Sequence, residues 1–317
     1  MKTSRSVTVD RPSQHGFLYR LNQNKVLLLM CLPAILFFLF MSYAPMPGAY
    51  VAFTNFNYNA GIFGSEFVGW QNFEFLFSSG TLLMLLRNTI LYNLVFIVLG
   101  NIIQVFLAIL LNEVACKRFV KVAQSLMFLP YFISAVLIGL LVYNMLNADF
   151  GFIPSLIRSM GGEMSSVYSD PYAFPIVIVL AKLWQSTGYG TVVYFAAICG
   201  IDASMMEAAK VDGANGFQRI RYITLPCLKG TMIILFLFAI GGIVKGDFGL
   251  FYNLVGMNSV LYPTTDIIET YVYRCMMNNF NFSSGTAVGL FQSVFGFVLV
   301  MLANGIVKKL DPDYTLF

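Results

Sequence analysis

Charge is scarce in this chain: Asp, Glu, Lys and Arg make up 11% of its 317 residues, against 58% hydrophobic residues. Soluble domains carry about 25% charged residues, so a water-soluble globular domain is excluded. Histidine is nearly absent as well. His15 is the single one and lies in a polar N-terminal stretch, which excludes zinc sites of the HExxH kind and Ser-His-Asp or Cys-His catalysis. The five cysteines, Cys31, Cys116, Cys199, Cys227 and Cys275, contain no CxxC pair. Spread over different depths, they read as small apolar residues and build no disulfide framework. No GxxxxGK(S/T) run occurs, so the chain cannot bind ATP through a P-loop of its own. Any ATP-driven work falls to a partner.

What the chain has in abundance is apolar length. Mean hydropathy is +0.75, and a hydrocarbon core about 30 Å thick needs roughly 20 apolar residues per helical crossing. Six runs qualify: about 26–44, 88–111, 120–146, 173–199, 231–252 and 287–307. Pro130, Pro175 and Lys182 interrupt the third and fourth, which neighbours can accommodate by re-satisfying freed carbonyls. The expected architecture is an all-α membrane protein: a 1–25 tail, a six-span domain over 26–307 and a 308–317 tail. The first run is long for a signal peptide and follows some two dozen polar residues, so it is expected to be retained.

Basic residues tend to stay on the cytoplasmic side. Fourteen of the 19 Lys and Arg fall on one side of this six-span arrangement. Lys2, Arg5, Arg11, Arg20 and Lys25 lie in the N-terminal tail, and Lys117, Arg118 and Lys121 follow the second span. Lys210, Arg219, Arg221 and Lys229 follow the fourth, with Lys308 and Lys309 after the sixth. Both termini are therefore expected in the cytoplasm. The net charge of +4 is largely this topological bias and calls for no nucleic-acid partner.

Between the fourth and fifth spans, over about 200–230, lies a polar element on the same side. Ser204 and Glu207 stand at capping-box spacing. Gly213 after Asp212 suits a left-handed C-terminal cap. A second short helix is expected from about Gly216, limited by Pro226. Small Ala208, Ala209, Gly213 and Ala214 let another backbone approach, and Glu207 and Asp212 offer carboxylates to a basic partner surface.

The run Glu207-Ala208-Ala209-Lys210-Val211-Asp212-Gly213-Ala214 through Ile223-Thr224-Leu225-Pro226 resembles the EAA loop of bacterial ABC-importer permeases, approximately EAAxxDGAxxxxxFxxIxLP. Ile220 stands where that pattern has an aromatic, with Phe217 and Tyr222 nearby. The resemblance covers nearly the whole chain. Trp70-Gln71-Asn72-Phe73, Arg87-Asn88-Thr89, Leu129 to Ser134, Asp149-Phe150-Gly151, and Trp184 with Gly188 are similar to the carbohydrate branch typified by the maltose importer. Tyr43 to Gly48, Lys245 to Tyr252 and the terminal Leu316-Phe317 are most similar to LplB-type permeases of complex oligosaccharides, a group that includes the alginate importer.

This resemblance implies a six-span subunit in the bacterial cytoplasmic membrane that pairs with a second homologous permease. It also implies two cytoplasmic ATPase subunits, which hold the ATP and Mg, and an extracytoplasmic solute-binding protein. This chain itself would hold no cofactor or metal and catalyse no covalent change. Glu207, Ala208, Ala209, Asp212, Gly213 and Ala214 would engage the ATPase. The same fold with another cargo, such as glycerol phosphate, is a second reading. A membrane scaffold or a lipid-linked-sugar enzyme is a third, though no cluster of carboxylates or His marks a catalytic centre.

Intramembrane polar residues usually face a bundle interior, and sugars need hydrogen-bonding groups with aromatic faces. Lys182, Trp184, Gln185, Tyr189, Lys245, Asp247 and Tyr252 are therefore the substrate-pathway candidates, with Asn93, Asn101, Gln104, Asn144, Gln292 and Asn304 as further intramembrane polar groups. Each of these also has a structural reading as interhelical glue. Asp149, Asp170, Asp266 and Glu269 are outer-loop carboxylates available to a binding protein or to solvent.

Overall fold

The computed structural model describes residues 24–310. Lys2, Arg5, Arg11 and Arg20 of the expected N-terminal tail, and Leu316-Phe317 of the C-terminal one, lie outside the described residues. The chain divides into two units, Met1–Tyr50 and Val51–Phe317. In the first, α1 (Lys25–Phe38) passes into a π-turn at Leu39–Tyr43, and no side chain of either is buried. Among the described residues five helices are long and apolar enough to cross a membrane, or six when a bent pair is taken as one span.

In the second unit, a two-stranded hairpin pairs β1 (Thr54–Asn55) with β2 (Glu66–Phe67). Asn72, at the start of α2 (Gln71–Ser78), donates from Nδ2 to the carbonyls of Ala52 (2.9 Å) and Thr54 (3.1 Å) and pins the hairpin to the helix. The second span, α3 (Thr81–Glu113), begins seven residues earlier than its apolar run suggested. Its first turns are apolar too; only Arg87 had marked a boundary.

The third span is broken. α4 (Lys117–Phe128) with its 3₁₀ turn to Phe132, and α5 (Ala135–Leu146), meet at 97°. Pro130 removes an amide donor, and Ser134 restarts the helix by accepting from the Leu137 amide. Proline breaks a helix when its ring meets the carbonyl four residues back. Pro175 does not break α7 (Phe174–Cys199), because it sits in the first turn where its missing N–H has no partner to lose.

Two expected boundaries are wrong around the fifth span. The helix that starts at Gly216 does not stop at Pro226. α9 (Gly216–Arg219), a π-turn at Ile220–Thr224 and α10 (Leu225–Gly241) form one continuous helix. The wide turn leaves room for the proline ring, which is how a helix carries an internal proline without ending. At the far end, Gly241 and Gly242 stop the span, and the apolar run through Tyr252 belongs to a separate helix, α11 (Phe248–Val255). The polar segment between spans four and five, named the coupling segment after the EAA loop that it resembles, is α8 (Ala203–Val211). After α11 come α12 (Ile268–Met277) and the sixth span, α13 (Phe282–Leu310).

Three apolar clusters hold this unit together. One joins Tyr92 of α3, Ile138 of α5, Phe174 and Ile178 of α7 and Leu250, Phe251 and Leu254 of α11. A second packs Phe73 and Leu76 under Leu82, Leu85, Ile268 and Val288. The third, Val105, Ala108, Tyr194, Ile198 and Leu228, sits near the coupling segment. Glycines set two of the closest approaches. A Cβ on Gly188 would stand 1.7 Å from the Met127 carbonyl oxygen, and one on Gly139 would stand 2.4 Å from that of Asn253.

Asp266 is a correction to the sequence reading. It is 3% exposed and takes both Nη groups of Arg274 together with the Thr270 hydroxyl (2.7 Å). Arg274 also lies 4.0 Å over the Tyr262 ring, and Asn88 Nδ2 donates to the Asp266 carbonyl (3.0 Å). The carboxylate fastens the start of α12 to Arg274 and Thr270 of that helix, while the backbone carbonyl ties the same residue to the second span.

Two stability outcomes follow. Gly188→Ala should lose about 2 kcal/mol or more, since its methyl meets backbone and no rotamer can yield; Gly241→Ala, with open space at its Cβ, serves as the control in detergent thermal melts. Asp266→Asn strands a largely buried guanidinium and should cost about 3 kcal/mol, whereas the exposed Asp149→Asn should leave the melt unchanged.

Candidate functional site

The coupling segment is built to be stiff and is left uncovered. α8 buries none of its side chains, and Glu207, Ala208, Asp212 and Gly213 are exposed while Ala209 and Ala214 are half-buried. Nine-residue helices are marginal alone in water, so its ends carry the stability. The N-cap is Asp202, whose carboxylate accepts from the Ser204 amide at 2.9 Å. That amide holds the Asp202 carboxyl below the usual carboxylate range. The expected Ser204–Glu207 box is not formed: the N-cap lies two residues earlier, at Asp202, which moves Ser204 inside the helix.

The C-terminus behaves as the glycine suggested. Gly213 takes φ +80°, its amide donates to the Lys210 carbonyl (3.1 Å), and the Ala214 amide donates to the Ala209 carbonyl (2.9 Å). These are the paired bonds of a Schellman cap. A capping box does occur two residues on, between Asn215 and Gln218, with bonds of 2.9 and 2.8 Å. Its Asn-x-x-Gln spacing was legible but went unread beside the Ser-x-x-Glu upstream. Apolar side chains stand out around the segment: Val211 is 88% exposed, and Phe217 and Tyr222 are also bare. A surface of capped helix, small residues and uncovered apolar groups is suited to a protein partner.

At the other end of the spans that flank this segment lies a polar hub. Between Gly242 and Asp247 the backbone is no longer helical, and its carbonyls need donors. Asn93 of α3 gives Nδ2 to the Ile243 (2.9 Å) and Lys245 (3.0 Å) carbonyls. Gln292 of α13 gives Nε2 to the Val244 carbonyl (2.7 Å) and to Glu269 (2.7 Å). Glu269 in turn accepts from the Gly246 amide at 2.7 Å. Lys182 of α7 reaches Asp247 at 2.7 Å, and Asp247 caps α11 through the Leu250 amide (3.0 Å). Glu269 Oε2 is buried with no hydrogen-bond partner, and burial pushes this carboxyl above its usual range against the pull of Gln292 and Gly246.

The pathway candidates thus divide. Lys182 and Asp247 come together as an ion pair, each side chain about a third exposed or less (26% and 34%), and Lys245 contributes its backbone to the same hub. Asp247 thereby neutralises Lys182. Gln185 is elsewhere: its Nε2 donates to the Ile133 carbonyl (3.3 Å) and seals the break in the third span. Trp184 and Tyr189 are exposed on α7, and Tyr189 stacks on Tyr131 with centroids 4.8 Å apart. Tyr252 joins Phe248 and Tyr273 in an aromatic cluster with 5.0 to 5.2 Å separations. Sequence reasoning missed Tyr131 and Tyr273 and placed Glu269 on an outer surface; only the turn that follows the fifth span brings it inward.

The remaining intramembrane polar groups are mostly glue. Asn101 Oδ1 accepts from the Tyr194 hydroxyl, and Asn144 donates to the Leu140 carbonyl of its own helix (2.8 Å). Among the described residues no cluster of His, Cys, Asp and Glu could hold a metal ion.

Comparison with known proteins identifies the architecture. Residues 100–315 match the family model described as the binding-protein-dependent transport system inner membrane component. The polygalacturonan/rhamnogalacturonan transport system permease protein YteP of Bacillus subtilis (strain 168) is 36% identical over 97% of this chain and 95% of its own. Protein LplB of the same organism is 35% identical over 92% of each. A bacterial alginate ABC transporter, solved in complex with an alginate pentasaccharide-bound periplasmic protein, superposes with TM-score 0.83 at 29% identity. That match covers 93% of this chain and 98% of the other. The chain is an integral membrane protein and belongs to the family of binding-protein-dependent transport system inner membrane components.

Proposed function

We propose that this chain is one of two related permease subunits of an ATP-driven importer for oligosaccharides or polysaccharide fragments. The observation that carries the reading is the doubly capped, uncovered α8 in a chain without a P-loop: a rigid projection with a partner-shaped surface and no motor of its own. Glu207, Ala208, Ala209, Asp212, Gly213 and Ala214 engage one of two ATPase subunits, which bind ATP and Mg. The basic-residue bias puts α8 and both termini on the cytoplasmic side. An extracytoplasmic binding protein delivers cargo to the opposite face, and the printed names of the relatives favour saccharides over glycerol phosphate.

Closure of the ATPase pair pulls α8. The pull passes without slack into α7 and into the continuous Gly216–Gly241 helix, and alternating access follows from the rocking of these two spans. The sugar route runs beside the hub, where Lys182, Asp247 and Lys245 offer charge and hydrogen bonds and Trp184, Tyr189 and Tyr252 offer rings. The Lys182–Asp247 pair is part of that route and ties the two moving spans together.

Two measurements test this in proteoliposomes holding the permease pair, the ATPases and loaded binding protein. Gly213→Pro cannot adopt φ +80°, since proline is held near −65°; sugar-stimulated ATP hydrolysis should fall at least about tenfold with assembly intact. Coupled transport at the native rate in this variant would sink the lever. Lys182→Met leaves Asp247 unpaired and should reduce import about tenfold or more, the scale on which losing one partner of a half-buried pair acts. Basal ATP hydrolysis should be unchanged, and the swapped Lys182→Asp/Asp247→Lys pair should recover part of the loss.

A further inference from the structure

A second polar groove lies at the other end of α11 from the hub. α7 begins at Phe174, close to this groove, and ends at Cys199, next to the coupling segment. Its 26 residues put the groove and α8 about 39 Å apart at 1.5 Å per residue. The groove holds about 550 Å³ between α5, α11 and the turn at Val167–Ser169, within the range of about 300–1,000 Å³ typical of small-ligand sites. Its floor is the backbone contact at Gly139, where α5 meets the Asn253 carbonyl.

Two amides build the walls. Asn258 Nδ2 donates to the Tyr168 carbonyl at 2.7 Å and holds the turn. Asn147 Oδ1 accepts from the Asp149 (2.9 Å) and Phe150 (3.3 Å) amides and holds the loop that carries Asp149. What these walls present is unengaged. The Asn253 side-chain oxygen, the hydroxyls of Tyr143 and Tyr168, and the Asp149 carboxylate make no hydrogen bond within the described residues, and all four line the groove. The two tyrosine rings stand edge to face, 5.7 Å apart, and offer an apolar face beside the polar groups.

We propose that this groove binds a neutral, hydroxyl-rich sugar unit of a glycan on the face opposite the coupling segment. Hydroxyls both donate and accept, so they satisfy a carboxylate, an amide oxygen and two phenols together, while the sugar's C–H face covers a ring. No Lys or Arg lines the groove; the nearby Arg158 is held against the Ala148 carbonyl at the rim (3.0 Å), so the charged group that a uronate meets inside is the Asp149 carboxylate. The groove therefore selects against acidic units. The inference rests on the saccharide reading above and adds a subsite that is separate from the route beside Lys182.

The test is saturation-transfer NMR on the complete permease–ATPase complex in nanodiscs without binding protein, with galactobiose as neutral probe and trigalacturonate as acidic probe. Galactobiose signals should fall about fivefold in Tyr168→Phe and in Asn253→Ala, as loss of one hydrogen bond in a half-buried groove predicts. Asp149→Lys should turn the preference toward trigalacturonate. Unchanged signals in all three variants overturn the proposal. Weakened docking of the binding protein, with probe signals unchanged, also overturns it and assigns the groove to that protein. Import by wild-type proteoliposomes is scored separately: if they import no saccharide while galactobiose still binds here, the importer reading alone fails.

Discussion

Between Gly242 and Asp247 the fifth span stops being a helix, and inside a membrane protein every carbonyl and amide released by such a break needs a partner. An unsatisfied backbone group in hydrocarbon costs several kcal/mol. Asn93, Gln292 and Glu269 supply the partners from the second span, the sixth span and α12, and Lys182 of the fourth span holds the Asp247 side chain at the end of the break. One irregular segment thereby fixes four elements relative to one another. The outer helices α11 and α12 are positioned by it, and so is the groove that α11 forms with α5.

The same constraint gives the two central spans a frame. α7 and the Gly216–Gly241 helix are joined at one end by α8 and its caps, and at the other by the Lys182–Asp247 pair. Stiffness is continuous around this frame. Asp202 and Gly213 prevent α8 from fraying, the Asn215–Gln218 box starts the next helix at once, and the π-turn carries that helix past Pro226. A force applied to α8 has no loose joint in which to dissipate. The glycines work to the same end: Gly188 lets the broken third span lie directly on α7, so the frame is packed as well as linked.

Much of this was legible in the residues. Apolar length located every crossing, because the bilayer imposes a minimum that composition must meet. Gly213 was readable because only a residue without a Cβ sits easily at φ +80°. Boundaries failed where apolar character and helicity part company. The run from Met232 to Tyr252 looked like one span, yet two adjacent glycines end it, and hydrophobicity does not record a break that donors from other helices make tolerable. Pro226 failed in the opposite sense: its usual effect was cancelled by a π-turn that no local pattern announces. Asp266 and Glu269 looked like solvated charges because their partners, Arg274 and Gln292, are two helix turns or a whole helix away.

Sequence by itself determined that the chain crosses a membrane, about how often, where its polar capped segment lies and that no P-loop motif occurs in it. Those properties depend on residue type and spacing along the chain. Tertiary structure decided which polar residues hold helices together and which stay free for a ligand. Asn93, Lys182, Asp247 and Gln292 are alike in sequence to Asn253 and Asp149, and become different only when folding gives the first group partners on other helices, while the Asn253 amide bonds only within its own helix (2.7 Å to the Gly249 carbonyl) and leaves its oxygen open. Whether a polar group is satisfied depends on neighbours brought by folding, and no local pattern contains them.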